Sequence, residues 1–179
     1  MLAEMILERA QTRSVLISRA SHIEAIHDAA IVEAFPNQFL AVLIDEVNLP
    51  LLHRDASDRF WEILAANNGL MALLSCLLPS RTLIARLDQI TDHDQRAAVV
   101  CALTGLALVA GVAVGVGDPD DGDIFLPPTA LWGRSQSGPR PWAEAALRQN
   151  VTALRAERRP LIPAHRSARA RFHDKYWIH

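Results

Sequence analysis

AAVVCALTGLALVAGVAVGVG, residues Ala97–Gly117, is the stretch on which the fold turns. It runs for 21 residues without a charge, long enough to cross a bilayer. Gly111 and Gly115 form a GxxxG within it, the spacing that lets membrane helices approach closely. The composition argues the other way. Leu and Val, which favour insertion, supply nine of the 21 residues, while Ala and Gly supply ten. The final piece, Gly111-Val-Ala-Val-Gly-Val-Gly117, alternates Val with small residues and is also compatible with a strand. The reading adopted is a buried central helix of a soluble domain; membrane association through residues 97–117 is the alternative.

The segments on either side read as helices. Leu2–Phe35 has no Gly or Pro, and Ile23, Ile26, Ala30 and Ile31 fall on one helical face, with Ser21 as a candidate N-cap. Pro36 ends that pattern because it lacks an N–H and disfavours a helical residue before it. Gln38–Ile44 is ambiguous between a buried strand and a helix that continues to about Asn48. Ser57 opens a helix carrying Phe60, Ile63 and Leu64, and Asn67-Asn68-Gly69 stops it. Leu70–Leu78 is apolar almost all round, which predicts a buried helix. A short helix follows Ser80, with Leu83, Ile84, Leu87 and Ile90 on one face. Thr91 and Asp94 have the spacing of a capping box. Asp118–Asp123, DPDDGD, reads as a solvated turn, and residues 127–141 as an irregular connector rich in Pro and Gly. A last helix is expected from Trp142 to about Arg159.

A chain of 179 residues that is 50% hydrophobic and 21% charged has the material for one core. Global disorder, collagen-like repeats and a disulfide scaffold are excluded by that apolar content, by 8 Gly and by 2 Cys. Cys76 and Cys101 lie in apolar surroundings and are expected as small buried hydrophobes in a reduced, cytoplasmic protein. Glu4 and Glu8 interrupt the N-terminal apolar stretch, so no export signal is expected. The fold class expected is mainly α: a single domain of about six to eight helices, with residues 1–133 as the helical core. Residues 134–179 hold the connector, one helix and an irregular basic C-terminal arm.

Charge divides along the same boundary. Residues 1–133 hold 8 Arg/Lys against 17 Asp/Glu, a net of −9, and residues 134–179 hold 10 against 3, a net of +7. Arg155, Arg158, Arg159, Arg166, Arg169 and Arg171 form, with Phe172 and Trp177, a candidate partner-binding set, and Tyr176 lies beside them. Two explanations are open. The arm folds back on its own acidic body, or it faces an anionic partner: an acidic protein surface first, nucleic acid second and phospholipid last. Aromatic rings among arginines suit single-stranded nucleic acid, because bases stack on rings while guanidinium groups neutralise phosphates.

Chemistry-bearing motifs are few. Glu24-Ala-Ile-His27 puts a carboxylate and an imidazole on one helical face, but a di-iron bundle needs a second such motif and the sequence has none. DPDDGD offers hard oxygen donors, yet aligning Gly122 with the glycine of a calcium loop puts Pro119 and Pro128 at ligand positions. His165, His173 and His179 are spaced by eight and six, which matches no compact metal motif. Phosphate-binding glycine loops, GxSxG and CxxC are absent.

Three His-Asp dipeptides occur, His27-Asp28, His93-Asp94 and His173-Asp174. The segment IEAIHDAA, residues Ile23–Ala30, resembles the apolar helix ending in His-Asp of the HD-domain metal phosphohydrolases. That resemblance implies divalent-metal binding and water activation against phosphate, with His27, Asp28, His93 and Asp94 as the residues concerned. The family's first His has no counterpart, since residues 1–21 contain none. The alternative set, His53 with His93-Asp94 and Asp118 or Asp123, lacks the apolar approach. The likeness therefore covers a dipeptide and a fold class. Neither a metal nor another cofactor is expected. The functional expectation is a non-enzymatic, bacterial-type macromolecule-binding protein, an adaptor, accessory or inhibitory subunit, with a metal-dependent phosphohydrolase as the alternative.

Overall fold

The computed structural model describes residues 30–50, 56–81, 86–118 and 122–156, and positions 4, 5, 8, 9, 18, 19 and 26 before them. Of the described residues 57% are helical. They contain five bounded α-helices rather than six to eight: α1 Pro36–Ala41, α2 Ala56–Ala66, α3 Gly69–Leu77, α4 His93–Val109 and α5 Trp142–Ala156. Three two-stranded sheets accompany them, so the chain is helix-rich but not all-α. Ser18–Arg19 (β1) pairs in parallel with Ala30–Ile31 (β2). Val114–Asp118 (β3) pairs antiparallel with Gly122–Leu126 (β4), and Arg134–Ser135 (β5) antiparallel with Gly138–Pro141 (β6).

Ala97–Gly117 is not one helix. The helical part ends at Val109, and Gly111 adopts φ +68°. There Gly111 N–H donates to Leu108 O at 3.0 Å and Val112 N–H to Ala107 O at 3.0 Å. This is the paired closure of a helix C-terminus on a left-handed residue, a conformation that costs glycine least because it has no Cβ. The released chain then becomes strand β3. Its alternation fits a period of two: Val114 and Val116 pack against a small apolar cluster, opposite Leu126 and Ile124.

Helix α4 is also less buried than its composition suggested. Val100, Leu103, Thr104 and Ala107 form its buried stripe, while Ala98, Cys101, Ala102 and Val109 are exposed. The buried Thr104 hydroxyl donates to Val100 O at 2.9 Å, so it stays satisfied without leaving the helix. The same pattern corrects α3, where Leu70, Leu73, Leu74 and Leu77 are buried but Met71, Ser75 and Cys76 are exposed. Burial follows the 3.6-residue period even where the outer face is mostly apolar, with Ser75 the one polar side chain marking it on α3. Both cysteines are therefore exposed rather than buried.

Other local expectations shift for identifiable reasons. Pro36 begins α1 instead of ending a helix, because a missing N–H costs nothing at the first helical position. After α1 the chain turns, and Glu46–Asn48 forms a 3-10 turn rather than extending the helix. Ala30 and Ile31 pair as strand, where long-range backbone pairing overrides helix propensity. Asp92, not Thr91, caps α4, accepting from Gln95 N–H at 2.9 Å. Leu87–Gln89 is a 3-10 turn rather than part of a helix. Asn68, at φ 61°, and Gly69 turn the chain between α2 and α3, which lie 84° apart.

The main core joins α1 through α4. Phe39, Leu40, Ala41 and Ile44 meet Phe60, Trp61 and Leu64 of α2, the α3 leucines, Leu87, and Val100, Leu103 and Ala107 of α4. A second cluster holds Val42, Leu126, Trp132 and Ala143, with Val114, Val116, Ile124, Trp142 and Leu147 against it. Residues on both sides of position 133 thus pack together. Gly133 sits so close to the turn after α1 that a Cβ there would lie 1.9 Å from Ile44 O. Its N–H donates to Val42 O at 2.8 Å, and the Trp142 indole donates to Ile44 O at 2.7 Å.

Candidate functional site

A charged constellation among the described residues joins α2 to the first turn of α4. Asp58 and Glu62 stand four residues apart on α2, on one helical face. Left alone, the two carboxylates would repel. Arg96 lies between them, with Nη1 3.2 Å from Asp58 Oδ1 and 3.8 Å from Glu62 Oε1. Its Nε donates to Ile90 O at 2.8 Å, and its side chain is only 12% exposed. His93 Nδ1 is 3.0 Å from Asp58 Oδ2. Arg59 reaches Glu62 at 3.3 Å on the outer side.

This arrangement orients an imidazole with a carboxylate and neutralises that carboxylate with a guanidinium. It is a tie between two helices. Among the described residues no group of three or more His, Cys, Asp and Glu side chains converges to hold a metal ion. His93 makes its contact with Asp58, 35 positions away, while Asp94 lies exposed in the first turn of α4. There its charge meets the positive end of the helix dipole. His27, Asp28 and His53 lie outside the described residues. Asp58 and Arg96 escaped sequence reasoning because nothing in their spacing announces a partner 38 positions away.

A second polar cluster ties the turn after α1 to the β5–β6 hairpin. Asp45 Oδ1 accepts from Arg134 N–H at 2.5 Å. Glu46 Oε2 accepts from Gln136 N–H at 2.8 Å and from the Ser135 hydroxyl at 2.9 Å. The Gln136 amide first, and the Ser135 hydroxyl second, hold the Glu46 carboxyl below its ordinary pKa. These acids thus act as acceptors for a turn's backbone rather than as reactive groups.

One concavity of about 260 Å³ opens beside the α2–α3 junction, lined by Leu64, Leu70, Met71 and Leu87, with Asn68, Arg86 and Asp88 among its polar residues. Arg86 and Asp88 bond each other through two contacts, of 3.1 and 2.5 Å. That pairing raises the Arg86 pKa and lowers that of Asp88. Arg86 thus commits two of its five N–H donors to Asp88, and the pair offsets its own charge at the edge of the concavity.

Of the arginines singled out in the sequence, Arg155 falls on α5, and Arg158, Arg159, Arg166, Arg169 and Arg171, with Phe172, Tyr176 and Trp177, lie outside the described residues. No single described helix is long and apolar enough to cross a membrane; α2 and α3 reach the length together, but at 84° to each other. The sequence matches no protein-family model, and neither a curated protein nor a solved structure is significantly similar to it.

Proposed function

We propose that the chain is a non-enzymatic protein-binding protein, an adaptor, accessory or inhibitory subunit, whose basic C-terminal segment engages an acidic surface of its partner. The observation that carries this reading is the division of charge, a net of −9 over residues 1–133 against +7 over residues 134–179. Opposed fields on one chain steer an oppositely charged partner toward the basic end and away from the acidic one. The segment's residue types support a protein partner, since Arg and Trp are the side chains that most often dominate interface energetics. In the body, His93 and Arg96 both contact Asp58, with Glu62 on the far side of Arg96, and this use of His93 in a tie between helices favours the binding reading over a phosphohydrolase built on His93 and Asp94.

The test uses the full chain with Arg166, Arg169 and Arg171 reversed to Glu. The unaltered protein, immobilised at low salt, is expected to capture a defined partner that survives nuclease treatment and is released by salt. The reversed variant should lose it while keeping the same circular dichroism. Capture that disappears with nuclease would replace the protein partner by a nucleic acid. Equal capture by both proteins would overturn the role of the basic segment.

A further inference from the structure

We draw no further inference here: the strongest candidate, the charge-free outer face of α4 that runs through Ala98, Cys101, Ala102 and Val109, is an apolar helix face, and nothing among the described residues shows what covers it.

Discussion

Gly105 and Gly111 sit six residues apart in the same uncharged run, and the same substitution should act on them with opposite sign. Gly105 is inside α4, and a Cβ there would meet nothing within 4 Å. Gly105→Ala should therefore stabilise the protein by about 0.5–1 kcal/mol through helix propensity and a less flexible unfolded chain. Gly111 holds φ +68°, so Gly111→Ala should cost about 1 kcal/mol. Urea denaturation of the two variants checks both signs, and equal signs would mean that α4 does not end there. The α2–α4 tie makes a second contrast. Asp58→Ala leaves Arg96, 12% exposed, without its nearer carboxylate and should cost about 1–3 kcal/mol. His93→Ala, at a side chain 55% exposed, should cost less than about 1 kcal/mol. Each residue type was visible in the sequence. The partnership was not, because Asp58 and His93 meet only when α2 and α4 pack.

At the level of elements, α4 gives the clearest test of which face is inward. Leu103 is 2% exposed and Val109 is 88% exposed, although both are apolar members of one apolar run. Leu103→Ala should cost about 2–5 kcal/mol, and Val109→Ala should stay within about 0.5 kcal/mol. Thermal melts of the two variants separate them. The tie between Glu46 and the β5–β6 turn makes a pH prediction. The Glu46 carboxyl is held below its ordinary value of 4.5, so its contribution is complete above that value. It is lost as pH falls through the lowered folded pKa, where the carboxylate takes up its proton. The stability difference between the protein and Glu46→Gln should therefore be constant near neutrality and shrink on the acid side. Amide exchange at Gln136, followed against pH in both proteins, reads this directly. A difference that grows on acidification would contradict the assignment.

For the whole molecule, the polar ties and the second apolar cluster bear on how far the chain behaves as one unit. Val42 and Trp132 pack with Ala143, and the Trp142 indole bonds Ile44 O. Residues just beyond position 133 are thus fastened to the turn after α1. The charge division is also a property at this scale, and the arginine reversal described above is its test. Salt should weaken the proposed association, because ions screen exposed charges over about 8–10 Å. Chain stability, which rests on the buried leucines and aromatics of the main core, should change far less over the same range.

Much of this was legible from residue order alone. The stop at Asn67–Gly69, the helix beginning at Trp142 and the inward set Phe60 and Leu64 follow from turn chemistry and the 3.6-residue period, which act over a few neighbours. The helix-rich class and the charge division likewise need no coordinates. Tertiary structure decided the rest. Thr104, the hydroxyl-bearing residue of Ala97–Gly117, is itself buried, so no polar side chain marks an outer face for periodicity to read, and the close at Gly111 and the pairing of β3 with β4 settle where helix gives way to strand. The same holds for His93 with Asp58 and for Glu46 with Gln136. Those contacts join residues 35 and 90 positions apart, and a local sequence pattern cannot encode a distance that exists only after the core has formed.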